Sequence, residues 1–417
     1  MPDIAPELLE QARKMCADPY MRDLVAQHAG LNGRAREALD CSIHPEDQML
    51  LHSLRHHQDA NAAFSQYFNV GLQQYRAFRQ VWTLLGMDQR SEAAVLDFAC
   101  GYGRLLRFLA PTLADGTIWA SEIQPEALAF VKERFRVEAV PSAYQPEAFR
   151  PARRFDLIWV ASLFSHLPDR LFHAWLARLK DVVAEGGAIC FSAHDACLLP
   201  AGEEMPVEGI SFRPFSENAD LDGSSYGTTY VTEDYVRNAV RVACGDGFSY
   251  HRIPRGLAHE QDLHVIARHG ELDLTVLGAF RYGPWGWVDE RRFGPGGELF
   301  LRGWAASLDD GPVQEIDIRV DGVLHGCATG LPREDVQRAF DDPRLAGSGW
   351  VFSLPLDPQA ESVLVGVTAR DARGEAALLY AGIVRAALRA PGAEPGQPDA
   401  ATSGRAWLAR LRGFFVR

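Results

Sequence analysis

The stretch VLDFACGYGR, residues 95–104, constrains this chain more than any other. Val95 and Leu96 fit a buried strand, the apolar run ends near Asp97, and a loop carrying Gly101 and Gly103 leads into LLRFLAP, which has helical spacing. Glycines at alternate positions let backbone approach a ligand where a Cβ would collide, so this is a ligand loop. A dinucleotide fingerprint, GxGxxG, needs Gly or Ala at its third position, where Leu106 stands. Asp97 points the same way: a carboxylate so close repels a pyrophosphate and suits a cation, such as a sulfonium bearing an amino group.

About nineteen residues after Gly103, TIWASE places Glu122 at the end of a second apolar strand, inside the usual interval for a ribose-binding acid. With this order and spacing, the chain resembles the class I S-adenosylmethionine-dependent methyltransferases over roughly residues 60–270. The resemblance implies S-adenosyl-L-methionine as cofactor, with Asp97, Gly101 and Gly103 framing its methionine end and Glu122 on its ribose. It places the adenine at the loop after the third strand, here Pro141, Ser142 and Ala143. Such families usually carry Gly two residues after the motif acid; this chain has Ala99, the smallest replacement, so binding is expected to survive with a shifted loop. In the family a helical segment before the glycine loop folds over the cofactor, and Tyr67 and Phe68 lie where that lid is expected. The alternative is that both aromatics pack their helix onto the core.

A chain of 417 residues suggests two or three domains, and a hydrophobic content of 47% allows real cores. Its formal net charge of −13 disfavours a general nucleic-acid binder, which needs a basic surface against phosphates. The seven cysteines show no CxxC pair and no regular spacing, a reduced, cytoplasmic pattern without zinc or disulfide staples. MPDIAPELLEQARK lacks a signal-type apolar core and no run reaches a membrane span, so the protein is expected to be soluble and not exported. No metal is required by any ligand spacing near the candidate site.

Residues 1–90 read as a helical N-terminal region and cofactor lid, with apolar positions at helical spacing in ELLEQARKM and YRAFRQVWTLL. Across 91–271, the strand-like AAVLDFA, TIWASE, VEAVPS, FDLIWVASLF, GGAICFSAH, FSYHRI and LHVIAR alternate with helical stretches, which is the pattern of an α/β, doubly wound, Rossmann-like sheet. Ligands in such sheets sit outside the carboxyl ends of the strands. From Asp195 to about Tyr230 a long Gly-, Pro-, Ser- and acid-rich connection interrupts the rhythm and is expected over the substrate pocket.

The fourth strand, FDLIWVASLFSHLPD, opens at Phe155–Asp156, where the acid is structural in many relatives, and ends at Ser162 to His166, facing the transferred methyl. No NPPY- or DPPY-like motif is present, which argues against the nucleic-acid amino-methylating enzymes. SLFSHLP, LDFACGYGRLLR and YGTTYV together resemble bacterial methyltransferases found with glycan and surface-polysaccharide machinery, which makes His166 the leading candidate base. Methyl transfer to a hydroxyl needs an in-line approach and removal of a proton, and histidine titrates near neutrality. A His here also often only orders the loop. His194 and Asp195 form a second candidate pair. Tyr226 and Gly227 are expected to shape the acceptor side, and Thr232 to do so or to cap the helix beginning EDYVRNAV.

Residues 272–388 read as an all-β sandwich of short strands between Gly, Pro and Asp turns. The order GWAAS, DVQRAF, SGWVFSLP resembles, over roughly residues 275–388, small modules appended to glycosyltransferases and surface-polysaccharide enzymes. Trp285, Trp287, Trp304 and Trp350 offer either sugar-stacking faces or core filling. After 389 a linker leads to RAWLARLRGFFVR, where Trp407, Leu408, Leu411, Phe414 and Phe415 share a helical face flanked by Arg405, Arg410, Arg412 and Arg417. Residues 403–417 can thus be read as touching an anionic membrane peripherally, at the inner face of the cell membrane, or as docking on the protein itself.

The expected protein is therefore a cytoplasmic methyltransferase that O-methylates a sugar or glycan-linked precursor. The rivals are a small-molecule methyltransferase with an unrelated acceptor and a non-catalytic cofactor- or glycan-binding assembly protein. The sequence leaves the acceptor atom and the oligomeric state open.

Overall fold

A computed structural model describes residues 4–114, 116–200, 202–215 and 221–386. They form two compact units: residues 22–52 and 70–281 in one, and residues 4–21, 53–69 and 282–386 in the other. The terminal segment 389–417, with the expected amphipathic helix, lies outside the described residues.

The first unit is built on β1 Val95–Phe98, β2 Ile118–Glu122, β3 Glu138–Pro141, β4 Phe155–Val160, β5 Val183–Asp195, β6 Ile210–Arg213, β7 Thr228–Val231, β8 Phe248–Leu257 and β9 Gln261–Arg268. Strands β3, β2, β1, β4 and β5 lie side by side and parallel, and β9 pairs antiparallel with both β5 and β8. Chain order reverses between β1 and β4, so the crevice for a ligand opens at their carboxyl ends, where Asp97 and Ser162 stand.

Local chemistry explains the framework. Helix Asp169–Val182 presents Leu171, Phe172, Trp175, Leu176, Leu179 and Val182 on one stripe, which packs in the sheet's core beside Phe98 and Phe149. Helix Pro125–Phe135 starts with Pro, whose missing N–H costs nothing in a first turn. Asp156 is a structural latch: its carboxylate accepts from the Ala94 N–H at 2.8 Å and from Arg90 at 3.0 Å, tying β4 to the entry of β1.

The connection expected as a long irregular segment is partly a β-ribbon. β6 and β7 pair antiparallel, and β7 continues the sheet beside the end of β5, with His194 opposite Tyr230 and Asp195 opposite Val231. Thr228-Thr229-Tyr230-Val231 is β-branched and aromatic throughout, and all four residues are buried. The flanking Gly and acidic residues disguise this short strand in sequence.

In the second unit, β10 Pro284–Phe293, β11 Glu298–Ser307, β12 Gly311–Pro312, β13 Glu315–Val320, β14 Val323–His325, β15 Ala328–Leu331, β16 Gly349–Pro355, β17 Ser362–Arg370 and β18 Ala376–Arg385 form two antiparallel sheets, ordered β10-β11-β16-β15 with β12 on β11, and β14-β13-β17-β18. Leu299, Leu301, Ile318, Trp350, Val365 and Val367 from both sheets fill one core. Trp350 and Trp304 are each only 1% exposed, so they fill cores and offer no open face to a sugar; Trp285 and Trp287 are partly buried against Trp304's cluster.

The N-terminal region is helical, over Pro6–Ala17, Pro19–His28, Gly33–Ala38, Gln48–His57 and Ala60–Leu84. Tyr67 is buried, edge-on to Phe68, and both group with the β-rich unit. The first turns of Ala60–Leu84 seal the edge of β18. Asn61 exchanges two hydrogen bonds with the Ile383 backbone at 3.1 Å, Ser65 Oγ accepts from the Ala381 N–H at 3.0 Å, and Asn69 donates to the Leu378 carbonyl at 2.5 Å. Spacing of four puts these side chains on one helical face, where they replace a neighbouring strand. Gly382 permits the approach, because a Cβ there would collide with Asn61. Among the described residues, no helix is long and apolar enough to cross a membrane.

Candidate active site

The glycine loop after β1 is a run of left-handed backbone, with φ of 58° at Ala99, 54° at Gly101 and 79° at Gly103. The two glycines do different work. A Cβ on Gly103 would lie 2.5 Å from the Phe135 ring and 3.0 Å from Val131, so this glycine lets the loop pack on helix Pro125–Phe135. A Cβ on Gly101 meets nothing within 4 Å, so its bareness serves the open side of the loop. Ala99 adopts the conformation that favours glycine and bears the strain of its methyl group.

Glu122 closes the loop from β2. Its Oε2 accepts from the Gly101 N–H at 2.8 Å, and its Oε1 accepts from the N–H groups of Ile123 at 2.7 Å and Gln124 at 3.1 Å. Burial pushes its carboxyl up, against the pull of those three donors. The backbone N–H of Ser142 donates to the Glu122 carbonyl at 3.0 Å, which sets Pro141, Ser142 and Ala143 beside the acid. Asp97 is 2% exposed, and its Oδ2 has no hydrogen-bond partner. Burial, and next the negative charge of Glu122, push its carboxyl up to about 8, with Arg104 opposing. Such a group accepts a cation at little further desolvation cost.

Residues 40–44 cover this loop, an element the sequence reading missed. Buried Arg107 donates to the carbonyls of Asp40 at 3.2 Å and Ser42 at 3.1 Å, and Arg134 donates to Ser42 Oγ at 2.8 Å and pairs with the Asp40 carboxylate. The His44 ring then stacks on Tyr102, between the two glycines, at 4.6 Å and 7°. DCSIH carries no periodicity or motif, so nothing local announces this strap.

Across the crevice, Ser162 follows β4 with φ of 58°, and its N–H donates to Ser192 Oγ at 2.7 Å. The His166 Nδ1 lies 2.6 Å from the Gly227 carbonyl, so Nδ1 carries the hydrogen and Nε2 the lone pair; Tyr226 stacks on the ring at 4.5 Å. Gly227 is sterically required, because a Cβ there would collide with the Arg213 carbonyl and the Phe212 ring. The His194 ring lies 6.2 Å from that of His166, so the fold brings the two candidate histidines together. His194 Nδ1 donates to the Thr229 carbonyl at 3.1 Å, and its Nε2 lies 3.3 Å from the Gln261 amide nitrogen. Asp195 instead binds Arg252 at 2.8 Å and caps the N–H of Cys197 at 2.9 Å. Thr232 caps helix Glu233–Cys244 by accepting from the Tyr235 N–H at 3.1 Å. Among the described residues, no cluster of three His, Cys, Asp or Glu side chains is disposed to hold a metal.

Residues 95–187 match the family model described as a methyltransferase domain. No curated protein matches the chain. Among solved structures, an S-adenosylmethionine-dependent methyltransferase from Clostridium acetobutylicum is 14% identical, with 48% of this chain and 92% of that one covered at a TM-score of 0.35. The glycopeptide N-methyltransferase MtfA with S-adenosyl-L-homocysteine is 18% identical, over 46% and 86% at 0.33. The methyltransferase CcbJ from Streptomyces caelestis is 13% identical, over 47% and 89% at 0.35.

The residues around the glycine loop fit S-adenosylmethionine. The orphaned Asp97 oxygen suits its positive charge, the bare Gly101 backbone admits close approach, and Glu122 retains lone pairs for hydroxyl donors.

Proposed function

We propose that this protein is an S-adenosylmethionine-dependent methyltransferase that O-methylates a sugar or glycan-linked precursor. The observation that carries the reading is the partnerless, buried Asp97 oxygen behind a glycine loop that Glu122 holds in place. When bound, the cofactor supplies an electrophilic methyl group. Asp97 holds the positive end of the ligand and Glu122 its ribose, while Ser142 and Ala143 border the adenine. At the ends of β4 and β7, the Gly227 carbonyl and the Tyr226 ring orient His166, so that its Nε2 accepts the proton of an incoming hydroxyl. His194, bonded at both nitrogens, belongs to the neighbouring wall.

The glycan assignment is supported by the segments SLFSHLP and YGTTYV, which carry the resemblance to glycan-associated methyltransferases and meet at the bond between His166 and Gly227. A reducing, cytoplasmic setting is part of the proposal, in keeping with seven free cysteines. The test is transfer of an isotopically labelled methyl group from S-adenosylmethionine into host extracts fractionated by chemical class. Label is expected in the glycan pool. Label confined to another pool overturns the glycan assignment, and cofactor binding without any label overturns the enzymatic one.

A further inference from the structure

Gln261, the first residue of β9, is 2% exposed, yet every polar atom of its side chain is used. Ser192 Oγ donates to its Oε1 at 2.6 Å, and its amide nitrogen reaches Ser162 Oγ at 3.0 Å and His194 Nε2 at 3.3 Å. The amide's orientation follows from chemistry. His194 Nδ1 faces the Thr229 carbonyl and must be N–H, so Nε2 accepts and the atom facing it must be the amide NH₂. Ser192 Oγ meanwhile accepts from the Ser162 N–H at 2.7 Å, so one side chain on β9 fixes Ser162, two residues past β4, and two residues of β5. Ser162, Ser192 and Gln261 carry no ionisable group, and Ser162 holds a left-handed conformation that a non-glycine residue adopts only when its surroundings impose it.

We infer that Gln261 is a positioning residue for methyl transfer: it locks Ser162 and the neutral tautomer of His194 into a preorganised, uncharged wall beside the acceptor. The inference rests on the proposed function. An uncharged wall leaves the cofactor's positive charge to Asp97 and Glu122, and a locked turn after β4 keeps the acceptor in line with the methyl group. A carboxylate in place of the amide keeps the size and the acceptor for Ser192, but removes both donors and draws a proton onto His194.

The experiment combines steady-state kinetics with nitrogen NMR of the His194 ring in the full-length protein, comparing wild type, Gln261→Glu and Gln261→Leu. Wild-type His194 is expected as the Nδ1–H tautomer at pH 7. In Gln261→Glu, His194 becomes protonated and kcat gains a second pH dependence, beyond the one the His166 base gives wild type. Both variants are expected to lose at least about tenfold in kcat, while cofactor affinity stays within about threefold. Unchanged kcat in Gln261→Glu, or an Nε2–H tautomer in wild type, overturns the inference. Gln261→Glu keeps the test decisive if the leucine variant does not fold. Absence of any methyl transfer by wild type overturns the proposed function instead, and the His194 spectra still decide what Gln261 holds.

Discussion

The Gly101 N–H donates to the Glu122 carboxylate at 2.8 Å, so the acid on β2 also shapes the loop after β1. Glu122→Ala leaves three backbone donors without their acceptor and, on the proposed function, removes the partner for ribose hydroxyls. Cofactor affinity is expected to fall about tenfold to a hundredfold, the worth of one or two charge-assisted hydrogen bonds, as measured by calorimetric titration.

The three left-handed loop positions separate stability from binding. Ala99→Gly relieves a strained methyl and is expected to stabilise the protein by about 0.5–1 kcal/mol, net of the added unfolded-chain entropy. Gly103→Ala is expected to destabilise by at least about 2 kcal/mol through its clash with Phe135. Gly101→Ala is expected to weaken cofactor binding more than stability. Denaturant unfolding alongside cofactor titration measures all three.

Much of the sheet was legible in sequence because its signals are local. Apolar runs such as VLDF and IWASE end at glycines or acids, and Thr232 caps the next helix within three residues. What escaped depends on distant partners. Strand β7 exists because the end of β5 and Ser165 receive it, the Thr229 N–H donating to the Ser165 carbonyl at 2.8 Å. Gln261 reads as an ordinary polar residue at a strand start, and only folding brings Ser162, Ser192 and His194 to it. Asn61, Ser65 and Asn69 carry no local signal of their role, yet they are the hydrogen-bonding edge of a sandwich.

That edge makes a prediction about domain boundaries. Asn61→Ala is expected to destabilise the protein by about 1–3 kcal/mol, by leaving the Ile383 backbone without its partner. A fragment of residues 272–388 lacks the sealing helix, exposes the edge of β18, and is expected to self-associate in light scattering. A monodisperse, monomeric fragment contradicts the sealing role.

His166 and Tyr226 should separate turnover from cofactor binding. His166→Ala is expected to lower kcat by at least about a hundredfold, the usual contribution of a general base, with cofactor affinity unchanged within about twofold. Tyr226→Leu removes the stacked ring but leaves the Gly227 carbonyl, so a smaller loss, on the order of tenfold, is expected. Stopped-time kinetics on the identified acceptor distinguish the two.

On the proposed function, Asp97 links cofactor recognition to pH. Its folded carboxyl titrates at about 8 against an ordinary 3.8, so the ligand-free protein retains a proton there that the unfolded chain releases. This contribution to stability is present at low pH and declines as pH rises from about 4 to about 8. A bound cation favours the carboxylate, so binding within that range releases a proton, and affinity rises with pH up to about 8. Calorimetric titration of S-adenosylmethionine at pH 6.5, in buffers of different ionisation enthalpy, measures this directly with wild type and Asp97→Asn. Wild type is expected to bind with release of close to one proton, and the variant to bind at least about a hundredfold more weakly with none. Equal affinity in the two proteins, or no binding by wild type, would contradict cation recognition by Asp97.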